Sequence, residues 1–131
     1  MSANFEMPEE VRIFLLESYE NLDKVEQDLV TLEKDSRNNE LLNGIFRSIH
    51  TIKGNSGFLG YSSLETLCHR GETLLDKMRN AQLTYSAPIA TTLLRLVDTV
   101  RRHLTFVEAR GEESKEDNTA LIREIESHLP R

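Results

Sequence analysis

The sequence has no tryptophan, one cysteine, three prolines and six glycines, and each scarcity closes off a class of protein. A single cysteine, Cys68, allows no intrachain disulfide and no thiolate metal cluster. With so little glycine and proline spread over 131 residues, few turns interrupt the chain, which favours long helices. No run of about 20 apolar residues is present, so no helical membrane span is expected. A basic surplus is also missing, since 16 Lys and Arg stand against 22 Asp and Glu, for a formal charge of −6. That balance argues against nucleic acid and against anionic membranes as partners, because both select clustered Lys and Arg. The opening Met-Ser-Ala-Asn-Phe-Glu-Met-Pro-Glu-Glu is acidic where a secretory signal would be basic and then apolar, so a cytoplasmic location is expected.

What the chain does contain is apolar residues at helical spacing, in a composition 38% hydrophobic and 29% charged, as in a soluble globular protein. Residues 1–131 read as a single domain with helices over about 8–34, 40–57, 62–80, 86–110 and 115–129. In the first, Val11, Phe14, Leu15, Leu22, Val25, Leu29 and Leu32 form one stripe; Pro8 fits a first turn, and Glu9 and Glu10 suit the positive end of the helix dipole. Leu42, Ile45, Phe46, Ile49 and Ile52 mark the second helix, with Phe46 read as core. Ser62 and Glu65 have the spacing of a capping box that opens the third, whose stripe includes Cys68 and Gly71. Ser86 with Pro88 starts the fourth, and Gly111 ends it. Ser114 with Asp117 is the expected cap of the fifth, and residues 112–117 read as a solvated loop. No segment alternates with period two. The expected fold is all-α: an antiparallel up-down four-helix bundle with an accessory fifth C-terminal helix.

The segment His50-Thr51-Ile52-Lys53-Gly54-Asn55-Ser56-Gly57-Phe58-Leu59-Gly60 concentrates glycine beside a histidine. If the second helix continues through it, Lys53, Gly54 and Gly57 follow His50 by three, four and seven residues and share its face. Glycine inside a helix costs roughly 0.5–1 kcal/mol relative to alanine. Two on one exposed stripe point to a gain that offsets lost stability, namely access of a macromolecule to the imidazole. On the next helix His69 and Glu72 share a polar edge that an antiparallel packing brings beside His50. A carboxylate accepting from Nδ1–H would leave Nε2 unprotonated and nucleophilic, and Glu72 suits that role. A phosphoryl group on Nε2 carries about −1.5 to −2 charges. Lys53 is placed to balance it, with His69 as a further donor, and Phe58 and Leu59 are candidates for a small apolar docking patch.

His50-Thr51-Ile52-Lys53-Gly54, Gly57, Gly60-Tyr61 and His69-Arg70-Gly71-Glu72 together resemble the histidine phosphotransfer (HPt) domain family, and within it the N-terminal P1 domains of CheA-type chemotaxis kinases. The family pattern is His-Ser-Ile-Lys-Gly with later glycines and a His-x-x-Glu on the next helix. This chain departs from it at Thr51, Asn55, Ser56 and Tyr61. The resemblance implies that His50 is phosphorylated on Nε2, that Glu72 holds Nδ1, that Lys53 and His69 tune reactivity, and that Gly54 and Gly57 clear the docking surface. It implies two partners: an ATP-binding histidine kinase catalytic domain as donor and a response-regulator receiver aspartate as acceptor. No nucleotide-binding motif occurs here, so ATP and Mg²⁺ are expected from the partner domains, with no cofactor in this one.

A free-standing relay protein is the alternative parentage, and the isolated domain is expected to be monomeric. A metal-binding helical bundle is a different class, but di-iron bundles use Glu-x-x-His twice, whereas this chain has His-x-x-Glu once; no metal site is expected. A structural adaptor would account for the helices and leave the bare histidine face without a purpose.

Overall fold

A computed structural model describes residues 6–130, which form five helices: α1 (Glu9–Lys34), α2 (Asn39–Phe58), α3 (Ser62–Arg79), α4 (Ala87–Arg110) and α5 (Thr119–Ser127). The acidic start at residues 1–5, and Arg131, lie outside the described residues. Among the described residues there is no strand, and no helix is long and apolar enough to cross a membrane.

Helices α1 to α4 form a ring in which α1 packs on α2 and α4, and α3 on α2 and α4. Their directions alternate. As α2 runs from Asn43 to His50, its partners on α3 fall from Arg79 to Glu72. Likewise Tyr19 on α1 donates to Glu108 at 3.0 Å, and further along α1 Asp23 accepts from Arg101 at 3.2 Å. The apolar stripes read from the sequence meet at the centre of this ring, where Leu22, Leu32, Ile52, Leu67, Leu74, Val100 and Leu104 are fully buried. Removing such side chains from water is the main favourable term holding the bundle together. Gly71 allows α3 and α4 to close up, since a Cβ there would lie 2.4 Å from a methyl of Leu96. Cys68 is enclosed in this core, and burial pushes its thiol pKa up to about 12, so it packs as a small apolar group.

The ends of the helices follow the sequence signals unevenly. Ser86 accepts from the Ile89 N–H at 3.4 Å, Pro88 lies in the first turn of α4, and Gly111 closes that helix at φ 73°. Pro8 is the residue before α1 and not its first turn. Asn38, unassigned in the sequence reading, caps α2 by accepting from the Leu41 N–H at 3.0 Å.

The Ser62–Glu65 capping box does not form. Instead Glu113, from fifty residues along the chain, accepts from the Ser63 and Leu64 N–H groups at 2.7 and 3.0 Å. A carboxylate at that end of α3 satisfies two free donors and the helix dipole together. The segment expected to be a solvated loop is therefore partly structural. Ser114 is buried and accepts from the Glu116 N–H, and buried Asn118 accepts from His103 and donates to Ser63. These commitments hold residues 112–118 out of helical geometry. As a result α5 starts at Thr119, four residues later than expected, after Asp117 has accepted from the Thr119 N–H. Leu121 and Ile125 then bury α5 against α3 and α4.

Candidate functional site

The glycine-rich segment remains helical to Phe58, so His50, Lys53, Gly54 and Gly57 share one continuous α2. Helix α2 keeps its hydrogen bonding through two glycines because its inner side is anchored by Ile49, Ile52 and Ser56, all buried. Ser56 donates its hydroxyl to the Ile52 carbonyl at 2.7 Å and is fully enclosed, so this departure from the family pattern faces the core and cannot touch a partner.

His50 projects outward, with its side chain 58% exposed. Glu72 reaches it from α3: Oε2 accepts from the His50 Nδ1–H, while Oε1 accepts from Lys53 Nζ at 2.9 Å. With only 12% of its side chain exposed, Glu72 is desolvated, which opposes ionisation; the hydrogen bonds from Lys53 and His50 and the Lys53 charge outweigh that and hold its carboxyl below the usual range. The carboxylate is therefore ionised at neutral pH and acts only as an acceptor. In the neutral imidazole Nδ1 then carries the single proton, which leaves the Nε2 lone pair free. This arrangement is one that can accept an electrophile at Nε2 without first losing a proton from that atom.

The sequence-derived residues separate into groups. His50, Lys53 and Glu72 meet, with Glu72 between the other two. His69 is exposed, and its ring makes no hydrogen bond with any of the three. Gly54 lies open, and a Cβ there would meet nothing within 4 Å. Gly57 is different, because the space its side chain would fill is taken by Glu65, whose Oε2 would be 2.5 Å from an added Cβ. Phe58 is 85% exposed, whereas Leu59 is half-buried against the core. Ile13 and Phe14 of α1 and Asn55 join Phe58 and Leu59 around a shallow groove of about 210 Å³, rimmed by Glu10 and Glu17.

Two residues beside the site, Phe46 next to His50 and Arg79 next to Phe46, were not legible as such. Phe46, read as a core residue, is half-buried, and its ring is stacked on the imidazole with centroids 5.9 Å apart and planes 9° from parallel. The Arg79 guanidinium lies over the Phe46 ring, 3.7 Å from its centroid. The i, i+4 spacing of Phe46 and His50 was an available signal. Nothing local pointed to Arg79, which arrives through the pairing of α3 with α2. Among the described residues no group of three His, Cys, Asp or Glu side chains is placed to hold a metal ion.

A model of the Hpt domain family matches residues 9–103. The chain belongs to the Hpt domain family. This Hpt domain is 34% identical over 116 residues to the sensor histidine kinase CheAY of Helicobacter pylori, an alignment covering 88% of this chain and 14% of that protein. It therefore spans about one seventh of the length of that relative. A solution structure of the histidine phosphotransfer domain of CheA superposes with a TM-score of 0.84 at 32% identity, covering 93% of this chain and 92% of the other. A crystal structure of the phosphorylated P1 domain of CheA3 in complex with CheY6 from R. sphaeroides also gives 0.84, at 28% identity and with 91% and 94% covered. The superpositions extend past the family match at residue 103, so the C-terminal part of this Hpt domain also finds counterparts among CheA domains.

Proposed function

We propose that His50 is the phosphorylated residue of this Hpt domain, and that the domain works as the P1 domain of a CheA-type chemotaxis kinase on the cytoplasmic side of the membrane. The observation that carries the reading is the bond from Nδ1–H to Glu72 beside an exposed Nε2. Phosphorylation forms an Nε2–P bond as the bond from the γ-phosphorus to the leaving diphosphate breaks. The proton on Nδ1 stays where Glu72 holds it, and a positive charge on the ring is spread next to that carboxylate. Transfer onward forms a bond between phosphorus and a receiver aspartate oxygen, breaks the Nε2–P bond and returns the same neutral tautomer. Lys53, 2.9 Å from Glu72, balances the charge of the arriving phosphoryl group, and His69 gives a further donor on the solvent side.

The partners are a histidine kinase catalytic domain, which brings ATP and Mg²⁺, and a response-regulator receiver. Both reach Nε2 across the open face at Gly54 and past Gly57, where the Glu65 carboxylate takes the place of a side chain, with Phe58 and the groove beside Leu59 as an apolar contact. As an isolated domain the protein acts as a monomer.

The test is phosphorylation by a CheA-type kinase catalytic domain with radiolabelled ATP, followed by addition of a CheY-type receiver. The wild type should take up acid-labile label and lose it to the receiver, and His50→Gln should take up none. Acid-labile label on His50→Gln would refute the assignment.

A further inference from the structure

A hydrogen bond at Nδ1 fixes one atom of the His50 ring. The imidazole is more than half exposed, so the ring can still pivot about that bond, and a pivot swings the Nε2 lone pair away from an incoming phosphorus. In-line transfer tolerates little of this, because rate depends on holding reacting atoms in a near-attack geometry. A second contact is needed to fix the plane. Phe46 supplies one: it lies one turn before His50 on the same face of α2, and its ring is within 9° of parallel to the imidazole.

Phe46 is itself restrained. The Arg79 guanidinium covers its ring, and that guanidinium is held from two sides, by Nε–H donating to Asp76 at 2.9 Å and Nη1–H donating to Asn43 at 3.4 Å. Restraint therefore passes from the end of α3 through Arg79 to Phe46, and from Phe46 to the imidazole. The Arg79 charge is paired with Asp76, and the contact Arg79 makes toward the site is with the face of the Phe46 ring. Core packing alone does not account for the arrangement. Phe46 is half-buried at the margin of the core, and the ring it stacks on is an exposed one.

We propose that Phe46, clamped by Arg79, is a positioning residue for phosphotransfer: it fixes the plane of the His50 imidazole so that Nε2 faces the donor phosphorus. The proposal rests on the reading of His50 as acceptor. It is tested on the whole domain with Phe46→Leu, which keeps an apolar side chain of similar reach but no ring, and with Phe46→Tyr, which keeps the ring. Phe46→Leu should lower kcat for phosphorylation by a CheA-type kinase domain by about 3- to 10-fold, the range open to an aromatic pair, with KM little changed. Phe46→Tyr should stay within about 2-fold of the wild type. Arg79→Gln leaves the core untouched and should lose part of the same rate, so the proposal stays testable even if Phe46→Leu folds poorly. Relaxation NMR of the imidazole C–H groups gives a readout apart from activity: the His50 ring should be rigid in the wild type and Phe46→Tyr and more mobile in Phe46→Leu, with the Nδ1–H tautomer set by Glu72 unchanged in all three. A wild-type kcat in both Phe46→Leu and Arg79→Gln, or a loss in Phe46→Tyr equal to that in Phe46→Leu, overturns the positioning role. His50→Gln run alongside distinguishes the two readings, since label retained there overturns the acceptor itself.

Discussion

Gly54 is a position at which stability and function can be separated by one substitution. It lies inside α2, four residues after His50, and a Cβ built on it meets nothing within 4 Å. Glycine in a helix interior is about 0.5–1 kcal/mol less favourable than alanine, chiefly through backbone entropy. With no steric cost to set against that gain, Gly54→Ala should stabilise the domain by the same amount and raise its Tm by about 2–5 °C. The added carbon nevertheless projects about 5–6 Å from the Cβ of His50, into the face across which the proposed function brings a partner to Nε2. A longer side chain intensifies the conflict. Gly54→Leu should melt no lower than the wild type while transferring at least about tenfold more slowly, or about 1.4 kcal/mol in the barrier. Thermal melts followed by circular dichroism, and initial rates of labelling by the kinase domain and of discharge to a receiver, measure the two effects separately. Wild-type transfer by Gly54→Leu would show that partners do not cross this face. A Gly54→Ala protein melting below the wild type would show that the position is not open. Gly57 is a weaker site for the same experiment, because an added methyl must first displace the Glu65 carboxylate.

Other expectations follow from the same geometry. Glu72→Gln removes the ionised acceptor for Nδ1–H and the counter-charge of Lys53, so labelling should slow by about tenfold or more while the circular dichroism spectrum stays helical; an unchanged rate would remove Glu72 from the mechanism. Because the Glu72 pKa is lowered in the folded protein, its contribution to stability is complete above the ordinary glutamate pKa of about 4.3 and is lost as pH falls through the lower folded value. The stability difference between wild type and Glu72→Gln, from urea unfolding across that range, should therefore shrink with acid, and a difference that grows would contradict the sign. Glu113→Ala leaves two N–H groups of α3 without their acceptor and should cost about 1–2 kcal/mol, read as a lowered urea midpoint with unchanged labelling per folded molecule. An unaltered midpoint would mean that water replaces the cap at no cost.

The helices were legible because the information that makes them is local. The α3 stripe of Leu64, Leu67, Cys68, Gly71, Leu74, Leu75 and Met78 is the set the structure buries on that helix. The Ser86 cap, Pro88 and Gly111 mark the ends of α4 for reasons confined to a few adjacent residues. Reading failed where a side chain spends its hydrogen bonds far away in the chain. Ser62 and Glu65 have the spacing of a capping box, yet Glu113 takes the donors that box would use. The fifth helix begins late for the same reason, because Ser114, Asn118 and Glu113 are already engaged with α3, α4 and their own loop.

The site divides along the same line. That His50, Lys53 and Gly54 share a face follows from 3.6 residues per turn, and the type of each residue limits its chemistry to nucleophile, cation and gap. Sequence alone therefore determined a helical domain with a bare histidine strip, and its family pattern pointed to phosphate. Only the packing of α3 against α2 decided that Glu72 faces Nδ1, that Arg79 covers Phe46, and that Glu65 fills the space beside Gly57 while Gly54 stays open. Periodicity sets which side of a helix is buried, whereas the relative sliding and rotation of two helices depends on how their side chains interlock, a property of the pair that neither stretch of sequence carries by itself.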